Sequence, residues 1–246
     1  MAAIHMTLQG KGGVGKSFIA SLLAQHFLAR GQAPICLDTD PVNQTFAGYK
    51  AFSPEIIRLG ERPDEINPRY FDALIERIMA APEDAVIIID NGASTFMPLI
   101  GYMVEAQALA MLHDGGHQVR LHSVLTGGQA LEDTTVGLAK LAAMIPDLPL
   151  VVWLNEYFGA VARQTAKGVQ SFEDSRIYRD LAPRIVAMIR LPEVRKETFG
   201  KDIAAMMEAR LTFEEAVAGE TFPIMARQRL RMTWATLHQA MDAARL

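Results

Sequence analysis

Cysteine is nearly missing from this chain: Cys36 stands alone among 246 residues. One thiol excludes an internal disulfide framework and a thiolate metal cluster built within one chain, and it suits a reducing compartment. No run approaches the roughly 18–20 consecutive apolar residues that a membrane-spanning helix needs. The opening MAAIHMTLQG lacks the basic start, apolar core and small-residue cleavage site of a secretory signal. These absences predict a soluble, cytoplasmic protein, with nucleoid or membrane association left open. Charge of one sign is scarce too: 24 Lys and Arg stand against 28 Asp and Glu. The balance excludes a protein that coats nucleic acid by bulk electrostatics, though not a local basic patch. There is no internal repeat and no low-complexity tract.

What is present is apolar and rhythmic. Half of the residues are hydrophobic, enough for one large α/β core. Short β-rich runs end at Leu8, Asp38, Asp90, Thr126, Asn155 and Ile189. Several of these are apolar throughout, as strands buried on both faces must be. Helical spacing fills Ser17–Arg30, Phe71–Ala80 and Gln129–Met144, and these stop at Gly31, at the APED turn and at Pro146. Residues 61–68 read as a loop, and the pattern after Pro192 is helical to the end. The expectation is an α/β fold with a mainly parallel central sheet and helices on both faces. It is a single domain over 1–246 with a helical C-terminal portion from about residue 193.

The chemistry concentrates in GKGGVGKS, residues 10–17, which follows a strand and opens a helix. Gly10, Gly12, Gly13 and Gly15 free the backbone so that successive N–H groups can face phosphate oxygens. The helix start adds its positive end. Lys16 would reach the β- and γ-phosphates and the Ser17 hydroxyl would ligate Mg²⁺. Val14 and Phe18 complete the candidate ATP contacts. Asp38, Asp40 and Asp90 sit at strand ends, where an open parallel sheet borders its ligand. Asp90 suits a water-mediated Mg²⁺ contact, Asp40 the attacking water, and Asp38 the metal shell. Each also has a plainer reading as the cap of the following turn. Lys11 is a second lysine, on the outer edge of the loop. It cannot easily fold back while Lys16 holds the phosphates, so it could supply charge to a nucleotide on another molecule, as an arginine finger does.

GKGGVGKS resembles the deviant Walker A motif of the ParA/MinD family, within the SIMIBI-like class of P-loop NTPases that includes nitrogenase iron protein. That resemblance implies a signature lysine, here Lys11, completing an ATP-sandwiched homodimer. LDTDPVNQT is similar to the family's switch I. IIIDNGAS takes the switch II position, where the family more often has a proline-rich sequence after the Asp. VVWLNEYFG resembles the strand whose terminal Asn, here Asn155, contacts adenine, and IRLPEVRKETFGKDI the loop whose proline, here Pro192, lines the base pocket. Together with INPRYFDALIE, TGGQALEDT and RLTFEEA, these segments resemble the TraL-type ATPases of plasmid conjugation regions, with the StbB group close by. The resemblance implies ATP and Mg²⁺ as ligands and a plasmid-encoded protein partner.

Other readings fit less well. The [NT]KxD motif of a GTPase is missing, and one cysteine cannot share a cluster across a dimer as an iron-protein electron carrier would. His113, Asp114, His117 and His122 invite a metal, but the two glycines of HDGGH break the helix that would align them, which favours a polar loop. The C-terminal Leu230, Trp234, Leu237 and Met241 share a helical face, better read as docked on the core than as a membrane anchor. Arg227, Arg229 and Arg231, with Arg184, Arg190, Arg195 and Lys196, leave a nonspecific DNA surface open. The functional expectation is an ATPase that hydrolyses slowly and switches by dimerising, in plasmid transfer, positioning or maintenance. The alternatives are an ATP-bound adaptor without significant hydrolysis and a phosphotransferase acting on a small acceptor.

Overall fold

A computed structural model describes residues 1–62, 65–166 and 168–246. Pro63 and Asp64 of the expected 61–68 loop lie outside the described residues. The strands are β1 (Ala3–Thr7), β2 (Ile35–Asp38), β3 (Glu55–Ile56), β4 (Val86–Asp90), β5 (Gln118–Thr126), β6 (Leu150–Asn155), β7 (Ala162–Thr165), β8 (Gly168–Ser171) and β9 (Ile185–Leu191). Among the described residues, seven of them form one sheet in the order β3-β2-β4-β1-β5-β6-β9, and every neighbouring pair runs parallel. β7 and β8 form a separate antiparallel hairpin. The helices are α1 (Lys16–Ala29), α2 (Phe71–Met79), α3 (Phe96–Glu105), α4 (Ala108–Asp114), α5 (Leu131–Met144), α6 (Arg176–Leu181), α7 (Lys201–Glu208), α8 (Phe213–Ala218) and α9 (Ile224–Ala243). None of them is long and apolar enough to cross a membrane among the described residues.

The period of two along each strand distributes the apolar runs between two layers. Ile87 and Ile89 of β4 join Ile4 and Met6 of β1 under α2, α3, α4 and α5. Val86 and Ile88 face the other way, into a layer with Leu22, Leu23 and Phe27 of α1 and Leu230, Leu237 and Met241 of α9. The expected face of α9 is therefore buried on the core, with Trp234 packed beside it. The six apolar runs all became strands. The segments 96–114 and 162–181 carry elements that the residue pattern did not announce. In α3, Pro98 and Gly101 lower helix propensity, but Pro98 sits in the first turn, where its missing N–H has no intrahelical partner to lose.

Two site-bearing loops meet at Gly127, just past β5. A Cβ built there would lie 1.9 Å from the Gly159 carbonyl oxygen and 2.6 Å from that of Ala160. Both obstacles are backbone, so they cannot swing aside. Gly127→Ala is expected to destabilise the fold by about 3 kcal/mol, read as a lowered urea midpoint.

Candidate nucleotide-binding site

Strand register assembles the site. Thr7 at the end of β1 lies beside Asp90 at the end of β4, and Asp90 beside Asp38 at the end of β2. On the other flank Thr126 pairs with Asn155, and Asn155 with Leu191. All are carboxyl ends of parallel strands bordering the crevice over β1. The connection from β1 to α1 turns back through Gly13 and Gly15, whose φ angles of 73° and 103° are left-handed and favour glycine. Gln9, which no sequence signal singled out, secures the start of this loop. Its Oε1 accepts from the Gly10 N–H at 2.9 Å, and its Nε2 donates to the carbonyls of Val124 and Thr134 at 3.0 Å each. A Cβ at Gly137 of α5 would come within 2.0 Å of Gln9 Oε1, so that glycine makes room for the bracket.

Lys16 is buried at the start of α1, and its Nζ donates to the Lys11 carbonyl at 3.1 Å. Burial pulls its pKa below the usual lysine range, partly offset by the charges of Asp90 and Asp40. Asp90 is also buried, accepting from Thr7 Oγ1 at 2.8 Å and from the Ser17 side chain. Burial is the main reason that its carboxyl is pushed up to about 7, with nearby Asp38 adding to the rise. An ammonium, a hydroxyl and a carboxylate thus converge under the glycine-rich loop. This donor set fits a phosphate chain with a hard, oxygen-seeking cation such as Mg²⁺.

The raised Asp90 has a pH signature. Between the ordinary value of 3.8 and about 7, the folded protein keeps a proton that the unfolded chain has released. The unfolded state then binds fewer protons, so stability falls as pH rises through that window. Without Mg²⁺, wild type is expected to lose roughly 2–4 kcal/mol from this group between pH 5 and 8. Asp90→Asn should flatten that part of the slope in denaturant titrations; identical slopes for the two proteins would contradict the assignment.

The other two aspartates are tied to the loop that follows β2. Asp38, fully buried, accepts from the N–H groups of Asp40 at 2.9 Å and Ala47 at 2.8 Å. Burial raises its pKa, and these backbone bonds work against the rise. Asp40 accepts from the N–H groups of Val42 and Asn43 and from the Asn43 side chain. Both carboxylates therefore do cap turns, the plainer of the two readings, while standing beside the phosphate loop. Asn91, where the resemblance leads one to expect proline, is a buried bridge. Its Nδ2 donates to the Thr7 carbonyl at 3.0 Å and its Oδ1 accepts from Thr39 Oγ1 at 2.7 Å. A Cβ at Gly92 would lie 2.9 Å from Asp40 Cγ, so this glycine lets the two turns close on each other.

Lys11 has a different partner from Lys16. Its Nζ lies 2.8 Å from Asp133 Oδ2 at the start of α5, and both side chains are about half exposed at 46% and 57%. A cleft of about 320 Å³ opens beside the loop, lined by Gly15, Phe18, Asn155, Pro192, Phe158 and Met207 among others. Asn155 is buried, and its amide is already engaged: Nδ2 donates to the Val14 carbonyl at 2.9 Å and Oδ1 accepts from the Tyr157 N–H at 3.1 Å. It steadies the loop as well as lining the cleft. Tyr157 and Phe158, packed edge to face at 4.9 Å, were not identified from the sequence, because nothing in EYFG separates a cleft wall from a surface turn.

His113 and His117 line one surface cleft, and His122 stands away from it in the core. His113 is exposed on α4, whereas His122 is buried in β5 between His5 and the Trp153 indole. Most of the candidate DNA-binding arginines have partners inside the chain. Arg184 donates to the carbonyls of Ala142 in the last turn of α5 and of Ile145 and Leu148 just beyond it, and Arg190 pairs with Glu156 and Glu173. Arg229 pairs with Asp202, and Arg227 donates to the Gly219 carbonyl.

No protein-family model matches the chain. Among known proteins, it is 46% identical over 245 residues to a protein TraL of Escherichia coli, covering 99% of both chains. Its fold is similar to that in the MinC:MinD cell division protein complex of Aquifex aeolicus, with a TM-score of 0.53 at 16% identity over 96% of both chains. It is equally similar to the septum site-determining protein MinD of Pyrococcus horikoshii OT3 complexed with Mg-ADP, with a TM-score of 0.52 at 15% identity over 98% of this chain and 96% of that one. Identity of 46% over nearly the whole length of both chains, on a fold of the MinD type, places the chain in the TraL family.

Proposed function

We propose that the chain is an ATP-binding, slowly hydrolysing dimerisation switch that acts in plasmid conjugative transfer or in plasmid positioning and maintenance, working as one unit over its length. The observation that carries this reading is the division of the two lysines. Lys16 is turned into the phosphate loop, and Lys11 stands at its outer edge, where it meets solvent and Asp133. One lysine serves the chain's own nucleotide, and the other can serve a nucleotide held by a second copy. The MinD of Pyrococcus horikoshii was solved with Mg-ADP and the Aquifex protein with MinC. Both support carrying over to this chain a Mg²⁺-bound adenine nucleotide and a protein partner.

In this reading the N–H groups of residues 11–17 hold the β- and γ-phosphates, and Lys16 neutralises them. Phe18, Asn155 and Pro192 border the base. Ser17, and Asp90 through water, would hold Mg²⁺, which supplies charge neutralisation on the phosphate oxygens. Asp90 must be ionised for that role, and Lys16 alongside favours its charged form. Asp40 orients the attacking water. Its oxygens already accept three hydrogen bonds from Val42 and Asn43, so in this conformation they are committed to the turn rather than to a water. That is the reason to expect slow turnover until a partner rearranges the loop, and it is also the observation that favours the adaptor alternative.

Light scattering with ADP, and with ATP plus Mg²⁺, tests the switch, with phosphate release followed in parallel. A mass that doubles only with ATP, accompanied by slow release, is the expected result. A chain that binds ATP and stays monomeric would sink the dimer reading. Doubling without any release would select the adaptor.

A further inference from the structure

A second cluster lies in the last turn of α1, where α9 packs in the same core layer. His26 lies on α1 and Arg30 caps the end of that helix one turn later, while His238 and Asp242 sit one turn apart on α9. The two imidazoles turn Nδ1 toward Nδ1 at 3.1 Å. His238 Nε2 lies 3.6 Å from Asp242 Oδ2, while Arg30 holds the other carboxylate oxygen at 3.3 Å. One ligand atom each from His26, His238 and Asp242 falls within 4.8 Å of the others, the one such trio among the described residues. Outside ligands are held in place by rings: Trp234 stacks on His238 at 5.1 Å, and Phe27 meets His26 edge-on at 5.3 Å.

We propose that His26, His238 and Asp242 bind one divalent transition ion of the zinc class and so clamp α9 to the phosphate-loop helix. Three arguments support the site. Two nitrogens bound to one tetrahedral ion at about 2.05 Å stand about 3.4 Å apart, close to the 3.1 Å between the two Nδ1 atoms. His26 is fully buried, which holds its ring in place with Nδ1 directed at His238 Nδ1. The side chains of His238 and Asp242 are 27% and 48% exposed, so an ion has a way in and room for a water as fourth ligand. Two imidazoles and one carboxylate are the ligands of zinc and of the neighbouring transition ions rather than of Mg²⁺. Arg30 competes with the ion for Asp242, which makes occupancy dependent on metal supply.

The test uses the full chain, stripped with chelator and titrated with Zn²⁺ alone in equilibrium dialysis. Wild type should bind one equivalent. His238→Gln and Asp242→Asn should each bind at least about tenfold more weakly, whereas His113→Ala, an exposed histidine on α4, should bind like wild type. Because a helix-crossing variant can misfold, Co²⁺ is titrated into wild type as well. It should give the visible absorption of a tetrahedral nitrogen–oxygen site without thiolate charge transfer, since Cys36 lies elsewhere. Failure of wild type to bind stoichiometrically, binding retained in both His238→Gln and Asp242→Asn, or an octahedral Co²⁺ spectrum would each overturn the site. None of these readouts involves nucleotide, so they are independent of the switch.

Discussion

Lys16→Ala is expected to weaken nucleotide binding on the order of 100-fold while leaving the fold in place. A charge-assisted hydrogen bond is worth roughly 1.5–3 kcal/mol, and this ammonium would donate to two phosphates. It is also buried against Asp90 and Asp40, where little water can replace it. Removing it leaves Asp90 without its nearest positive charge, which should shift the carboxyl further toward the protonated form that does not bind Mg²⁺. The loop itself should persist. Gln9 fixes its first residue, Asn155 holds the Val14 carbonyl, and the bond lost to the Lys11 carbonyl is a single one. Calorimetric titration with ATP plus Mg²⁺, alongside circular dichroism, separates the two effects. An affinity within a few-fold of wild type, in a folded variant, would mean that the phosphates are not held where the loop implies.

The phosphate loop was legible because its chemistry is local. Gly10 to Ser17 is contiguous, and four glycines with a lysine have few structural uses other than surrounding an anion. The sheet was legible for a related reason: runs such as VIIID are too short and too uniformly apolar to be surface helices. What escaped depends on partners far apart in sequence. Gln9 matters because of Val124 and Thr134, more than a hundred residues away, and a lone glutamine before a glycine advertises neither. Asn91 reads as a turn former, yet it joins the ends of three strands through Thr7 and Thr39. The histidines show the same limit in reverse. HDGGH draws attention by its density, but the side chains that converge, His26 and His238, are 212 residues apart and carry no local pattern. Asp38 and Asp40 were visible as strand-end acids, but which backbone groups their oxygens hold required the folded loop.

Lys11→Ala should do the opposite of Lys16→Ala: it should keep most of the nucleotide affinity and abolish ATP-driven dimerisation. The part of Lys11 that its own loop uses is the carbonyl that accepts from Lys16, and alanine retains it. The side chain contacts Asp133 in a half-exposed pair, and such pairs contribute only about 0–1 kcal/mol once solvent screening is counted. Breaking it therefore leaves the monomer nearly unchanged, and an opposing triphosphate, with several negative charges, is the stronger partner for the ammonium. The same comparison fixes the sign for Asp133→Asn. It removes the competitor in the monomer, so dimerisation should appear at equal or up to about fivefold lower protein concentration. Sedimentation of the three proteins with ATP plus Mg²⁺ at graded concentrations reads both effects. If Lys11→Ala loses nucleotide as severely as Lys16→Ala, both lysines serve one nucleotide and the division of labour fails. If Asp133→Asn instead suppresses the dimer, the pair belongs to the interface itself, with Asp133 positioning Lys11 for the second copy rather than restraining it.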